Sequence, residues 1–159
     1  MITAVDTNII LDILIPGEPY ALSSKALLER HLLAGQLILC EVVFTELAAR
    51  FPFESEFKAF LAETGMRLVH SNDKSLYVAG SRWAAYSRKS GKSRLFCAGC
   101  GKAFEATCPK CGLVFSRRLH VVADFLIGAH AMTHADCLLS RDLGVYKTHF
   151  RDLRVVDSI

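Results

Sequence analysis

The sequence predicts an α/β fold, a central parallel sheet flanked by helices on both faces. Three observations carry that reading. Short β-branched or continuously apolar runs alternate with longer stretches whose apolar residues recur at helical spacing, the pattern of a parallel sheet with crossover helices. Two of the short runs stop at an acid: Ile2-Thr3-Ala4-Val5 ends at Asp6, and Cys137-Leu138-Leu139 runs into Ser140-Arg141-Asp142. Finally, 52% of the 159 residues are apolar, which suits one domain with a real core and leaves no room for a second enzymatic domain.

Residues 2–6 form the first predicted strand, and the chain turns at Asp6 directly into the apolar-periodic stretch Ile9-Ile10-Leu11-Asp12-Ile13-Leu14, a strand-to-helix edge. The same periodicities give helices at about 20–34, 41–50, 54–64, 73–91, 120–135 and 143–149. Further strands follow at about 36–40, 66–70, 137–140 and 153–157. No internal repeat and no low-complexity tail interrupts this order. The N-terminus enters a strand within two residues without a basic n-region and a cleavable apolar stretch, so a signal peptide is not expected. The most apolar part, Val121 to Leu139, is broken by Asp124, His130, His134 and Asp136, which argues against a membrane span and for a cytoplasmic protein.

Four acids occupy positions that matter in such a fold. In a parallel sheet the carboxyl ends of the strands open onto the ligand crevice, which is where Asp6 and Asp142 fall. Glu46 and Asp124 lie in the helical stretches Val42 to Arg50 and His120 to His134, whose apolar faces would pack on the sheet and leave an end near the same crevice. Carboxylates held close together repel one another and are tolerable only when protonated or bridged by cations. An all-oxygen donor set suits Mg²⁺ or Mn²⁺, and such a site handles phosphates. The competing reading makes Asp6 a helix N-cap, Asn8 and Asp12 solvated residues and Glu46 a surface side chain. Asp136 precedes its strand where Asp142 ends it, and reads as a loop or capping residue.

The segments Val5-Asp6-Thr7-Asn8-Ile9-Ile10-Leu11-Asp12, Thr45-Glu46-Leu47, Ala123-Asp124-Phe125-Leu126-Ile127-Gly128-Ala129-His130-Ala131 and Leu138-Leu139-Ser140-Arg141-Asp142 together resemble the PIN-domain family, especially the VapC toxin ribonucleases. The motifs stand in the family's order and the resemblance covers residues 1 to about 91 and about 119 to 159. It implies a Rossmann-like PIN fold and a metal-dependent endoribonuclease, with Asp6, Glu46, Asp124 and Asp142 as ligands of one or two Mg²⁺ or Mn²⁺ ions. Ser140 stands where the family has a site-fixing hydroxyl, and Asn8 follows the first acid as in many relatives. The resemblance also implies an RNA substrate, a cognate antitoxin and a homodimer.

A second motif has no counterpart in that resemblance. Cys97-Ala98-Gly99-Cys100 and Cys108-Pro109-Lys110-Cys111, each followed by a glycine, make two CxxCG knuckles. Each turn directs two sulfurs to one centre, and four thiolates close a tetrahedral shell, so the predicted metal is a structural Zn²⁺. The module would interrupt the domain, 1–159, at about 92–118. Disulfides or a redox pair are the alternatives, but nothing in the chain suggests secretion, and a redox CxxC would not be doubled. Leu95, Phe96, Phe104, Val114 and Phe115 are expected to form a small apolar cover for a unit too short to own a core, with metal binding supplying its folding energy. Cys40 and Cys137 lie in apolar runs and read as buried small hydrophobes.

From Arg88 to Arg118 eight basic residues face one acid, a formal +7 in a chain of net charge +3. Lys92, Arg94, Lys102, Lys110, Arg117 and Arg118 are the candidate phosphate contacts. The aromatics there are read as buried in preference to base-stacking. The i, i+4 pair His130 and His134 lacks the glutamate of a zinc-protease motif, and all six histidines are read as packing or surface residues. Arg141, Lys147 and Arg151 are candidates either for phosphate contact or for a solvated face. Two functional classes follow: a PIN endoribonuclease whose zinc module recruits RNA or a partner, either toxin-like or a non-toxin RNA-processing nuclease, and a noncatalytic nucleic-acid- or protein-binding PIN scaffold.

Overall fold

The structure, a computed structural model, describes residues 1–89, 95–96, 103–104, 106–112 and 122–157. Of the predicted functional residues, Cys97, Cys100, Lys92, Arg94, Lys102, Arg117 and Arg118 lie outside the described residues.

The chain runs β1 (Ile2–Val5), α1 (Thr7–Leu14), α2 (Ala21–Ala34), β2 (Gln36–Leu39), α3 (Glu41–Ala48), α4 (Glu54–Thr64), β3 (Met66–Leu68) and α5 (Asp73–Lys89). The short strands β4 (Leu95–Phe96) and β5 (Ala103–Phe104) follow, then α6 (Val122–His134), β6 (Cys137–Leu139), α7 (Leu143–His149) and β7 (Val155–Val156). Five strands form one all-parallel sheet in the order β3-β2-β1-β6-β7. This is the expected α/β architecture. β4 and β5 pair antiparallel with each other, Leu95 opposite Phe104, in a separate two-stranded sheet.

Residue type explains the central position of β1 and β6. Ala4, Val5, Leu138 and Leu139 are all nearly fully buried, as strands covered on both faces must be. From β1 the chain steps outward through β2 to β3, then crosses back so that β6 lands on the other side of β1. The β1/β6 junction is therefore the point where strand order reverses, and the crevice beyond the carboxyl ends of strands opens at such a point. The register places Val5 beside Leu139, so Asp6 and Ser140 leave the sheet as neighbours, and the Asp6 amide still donates to the Leu139 carbonyl at 2.9 Å.

α6 is the helix buried most deeply on the sheet, and its sequence is built for close approach. Phe125, Ile127, Gly128, Ala129, His130 and Ala131 are all buried. A Cβ added at Gly128 would lie 2.9 Å from ring atoms of Phe150, so the aromatic ring occupies the space a larger residue would need. With its inner face packed this way, α6 carries Asp124 in its first turn out to the crevice.

Among the described residues the predicted element limits agree with the structure to within a residue or two, with β3 ending at Leu68 where residues 66–70 were expected, and the limits expected at 91 and 120 lie outside the described residues. The difference is physical: Val69 still donates its amide to Leu39 at 3.0 Å, but the chain then leaves the ladder, because Glu41 captures the amide and hydroxyl of Ser71 at 2.7 and 2.8 Å. Cys40 and Cys137 are buried as expected, at 3% and 0% exposure. The Asp136 carboxylate accepts the Ile2 amide at 2.8 Å, an anchor at the opposite end of β1 from the crevice. His31 bonds Thr3 at 3.0 Å and His130 bonds the Val69 carbonyl at 2.9 Å, both inside the packing. Among the described residues no helix is long and apolar enough to cross a membrane.

Candidate active site

A cavity of about 610 Å³ lies at the β1/β6 junction, and Asp6, Glu46, Asp124 and Asp142 all line it. Each comes from a different part of the chain. Asp6 ends β1, Glu46 projects from α3, Asp124 from the first turn of α6, and Asp142 caps α7 after β6. The acids are unequal in environment. Asp6 is 5% exposed, whereas Glu46 and Asp142 sit open to solvent at the rim.

Three donors converge on one oxygen of Asp6. Ser140 Oγ donates to Oδ2 at 2.6 Å, Asn8 Nδ2 at 2.8 Å and the Tyr146 hydroxyl at 3.2 Å. Ser140 has spent its only hydroxyl proton on Asp6, so its lone pairs accept from Asn8 Nδ2 at 3.1 Å and from the Asp142 amide at 3.0 Å. That hydroxyl ties the first acid to the start of the turn bearing the last one. Asn8 and Ser140, expected to support the site, make these contacts. Asp6 is in the N-cap position of α1 with no side-chain capping bond, while Asp142 does cap its helix, accepting the Gly144 amide at 3.1 Å. Glu46 is oriented by a short hydrogen bond from the Thr7 hydroxyl.

Electrostatics reflect the crowding. Burial pushes the Asp6 carboxyl above its ordinary range, with the Glu46 charge adding to the rise, although the bonds from Ser140, the Thr7 backbone and Tyr146 pull the other way. Asp124 is pushed up to about 6, first by its partial burial and then by the charges of Asp142, Asp6 and Glu46. Burial and the adjoining carboxylates also raise the Tyr146 phenol, which therefore remains a donor to Asp6 at any working pH.

The donor set fits a hard divalent cation in chemistry: carboxylate oxygens from four elements, one crowded enough to hold its proton to about pH 6, facing a cavity with room for ions, water and a phosphate. Among the described residues no three His, Cys, Asp or Glu side chains are drawn together into a ready-made cage. The acids share one cavity instead of one tight shell.

Tyr146, Thr7 and Arg50 are contributions that the sequence reading missed. Tyr146 is fully buried in a short helix four residues after the strand-tip acid. A buried phenol needs a partner for its hydroxyl, and that requirement was the available signal. Arg50 is the one basic side chain lining the cavity among the described residues. Arg141, a candidate for phosphate contact or for a solvated face, forms an ion pair with Asp12, which is 2% exposed and so is not a solvated residue.

Half of the four-cysteine motif is described. Cys108 and Cys111 are free thiols on one turn, closed by the Gly112 amide donating to the Cys108 carbonyl at 2.8 Å, with Gly112 at φ +71°. That left-handed conformation is the reason for glycine here. Backbone amides of Cys111 and Lys110, and then the Cys111 thiol, hydrogen-bond the Cys108 sulfur and hold its thiol below the usual range. The two sulfurs are thus neighbours on one turn, in a setting that favours the Cys108 thiolate.

No protein-family model and no curated protein matches the sequence. Solved structures do match over essentially the whole chain. VapBC2 from Rickettsia felis, bound to a DNA fragment from its promoter, superimposes with a TM-score of 0.62 at 16% identity, covering 100% of both chains. VapBC-1 from nontypeable Haemophilus influenzae gives 0.60 at 17% identity over 99% of this chain and 98% of that one. FitAB bound to an IR36 DNA fragment gives 0.57 at 18% identity over 98% and 94%. Likeness at this identity is likeness of fold, and with the acid-lined crevice at the β1/β6 junction it establishes that the chain has the VapC-like PIN fold.

Proposed function

We propose that the protein is a divalent-cation-dependent endoribonuclease, toxin-like in type, that hydrolyses RNA phosphodiester bonds in the acidic cavity. The observation that carries this reading is the convergence of Asp6, Glu46, Asp124 and Asp142, from four separate elements, on one cavity at the switch point of the sheet. These four would hold Mg²⁺ or Mn²⁺. Ions held there would supply Lewis acidity toward a water and toward the phosphate oxygens, the chemistry of phosphodiester hydrolysis that would leave 5′-phosphate and 3′-hydroxyl ends. The chain's own work is positional. Ser140, Asn8 and Tyr146 hold Asp6 in one rotamer, Thr7 orients Glu46, and the α7 cap fixes Asp142. Arg50 offers the cavity a cation for a flanking phosphate.

The test is cleavage of structured RNA by purified protein with Mn²⁺ or Mg²⁺ and with EDTA. Cleavage that EDTA abolishes supports the proposal. Absence of cleavage by folded protein with either ion would sink it in favour of a noncatalytic binding scaffold.

The proposal extends to a zinc module. Cys97, Cys100, Cys108 and Cys111 would hold one structural Zn²⁺, and the formal +7 of residues 88–118 would bring RNA to the cavity, because the chain rejoins the fold at Val122, two residues before Asp124. Lys110, exposed between two of the cysteines, is one of the phosphate contacts this reading assigns. Elemental analysis should find one zinc per chain, and Cys108→Ser should lose it and weaken RNA affinity by about tenfold, with a shallower salt dependence. Unchanged RNA affinity in a zinc-free variant would leave the module without a recruiting role. A small antitoxin and a second copy of the chain are the proposed protein partners, by likeness to the VapBC complexes, and the cytoplasm is the proposed location.

A further inference from the structure

The turn Ser140-Arg141-Asp142 serves the cavity from both ends, Asp142 by lining it and the buried Ser140 by holding Asp6, while its middle side chain points away to a separate buried cluster. Arg141 Nη1 forms an ion pair with Oδ2 of Asp12, in the second turn of α1. The same nitrogen lies 3.5 Å from Ser24 Oγ of α2, which itself donates to Asp12 Oδ2 at 2.5 Å. The guanidinium also stacks over the Tyr20 ring, 4.4 Å from its centroid, just before α2. Asp12 and Ser24 are 2% and 3% exposed, so this carboxylate has no water to turn to and depends on Arg141. The guanidinium thus meets a carboxylate, a hydroxyl and a ring face at once, a set of contacts that the shorter reach and point charge of a lysine would not reproduce.

The backbone of the same residue faces the site. The Arg141 amide donates to Asn8 Oδ1 at 3.2 Å, and Asn8 donates in turn to Asp6 at 2.8 Å and to Ser140 at 3.1 Å. A continuous path of contacts therefore runs from α1 and α2 through Arg141 to Asn8, Ser140 and Asp6. Asp142 follows Arg141 directly, its amide held by Ser140 Oγ at 3.0 Å.

We propose that Arg141, locked on Asp12, is a positioning residue that fixes the 140–142 turn and through it both Ser140, which holds Asp6, and the placement of Asp142 in the cavity. The inference rests on the reading of the cavity as the reactive site. It also removes Arg141 from the set of RNA contacts, because its charge is spent inside the fold. A misplaced turn would spoil the geometry of two site groups at once, and outer groups that orient metal-binding carboxylates typically influence ion affinity by about 10- to 100-fold.

The test compares wild type with Arg141→Lys and with Asp12→Asn, the latter nearly isosteric and still able to accept from Arg141. Folding is checked by circular dichroism, turn order by hydrogen exchange of the amides of residues 141 and 142, and Mn²⁺ affinity by calorimetry on metal-free protein. RNA cleavage is resolved into kcat and KM. The expected result in both variants is faster exchange at those two amides with β6 unchanged, Mn²⁺ binding weaker by about tenfold, lower kcat and unchanged KM. A higher KM with kcat, exchange and Mn²⁺ affinity intact would make Arg141 an RNA contact and overturn the proposal. Loss of thermal stability alone, with exchange and Mn²⁺ affinity unchanged, would reduce the cluster to packing and overturn it too. If wild type neither binds Mn²⁺ nor cuts RNA, the cavity reading falls and the link to catalysis falls with it, whereas unchanged amide exchange defeats the positioning role alone.

Discussion

Asp6→Asn is expected to abolish RNA cleavage while leaving the fold at least as stable as the parent. The two effects have one origin. Asp6 is almost wholly buried, and burial holds its carboxyl above the ordinary range, so its ionised form is costly to the folded protein. For an acid with a raised folded-state value, the contribution to stability is present below the unfolded value and is lost as pH rises through the folded one. The charge therefore opposes folding, and an asparagine removes it while its side-chain oxygen can still accept from Ser140, Asn8 and Tyr146. Activity moves the other way. A neutral amide is a poor ligand for Mg²⁺ or Mn²⁺, and losing several kcal/mol of transition-state stabilisation corresponds to about a thousandfold or more in rate. Thermal unfolding of metal-free protein and cleavage with saturating Mn²⁺ check both halves. A variant that cleaves within tenfold of wild type would remove Asp6 from the reaction, and one that melts well below wild type would make Asp6 a structural residue.

Where the sequence foretold the site, it did so through position along the chain. Asp6 and Asp142 are legible because a strand that ends in an acid can be read from a run of four or five residues, and a parallel sheet fixes which end of a strand faces the crevice. Glu46 and Asp124 were harder, since a helix offers several faces; the resemblance of their surrounding motifs to a known family carried them. What escaped was pairing between distant residues. Asp12 reads locally as one more polar residue at the back of a helix, and its ion pair depends on Arg141, more than a hundred residues on. Tyr146 was similarly silent, because its hydroxyl meets Asp6 only after β1 and β6 have become neighbours. Pairs of this kind are set by topology, and periodicity carries no record of them. The CxxCG turn at Cys108 was legible for the opposite reason: its spacing is local, and it needs nothing beyond its own five residues, the last of them Gly112 at positive φ.

Asp124 gives the site a pH dependence whose direction reverses when metal is present. Partial burial comes first, and the charges of Asp142, Asp6 and Glu46 then help to push its carboxyl up to about 6 from the ordinary 3.8. In metal-free protein its contribution to stability is thus complete below about pH 4 and lost as pH rises through about 6, so the melting temperature should decline across that window and level off by pH 7. Asp124→Asn should remove part of the decline, the rest belonging to Asp6, which is raised in the same sense. Because these acids interact, the titration belongs to the cluster and will not follow one simple proton step. A divalent cation competes for the same oxygens, so added Mn²⁺ should stabilise the protein most above pH 6 and little below pH 5. Cleavage should fall by about tenfold per pH unit on the acid side, and raising Mn²⁺ should carry that limb to lower pH, since each proton displaced favours the ion. An acid limb that stays fixed while Mn²⁺ is varied over a hundredfold would mean that the group being titrated is no ligand. The crowding of Asp124 by its neighbours would then need another explanation than a shared cation.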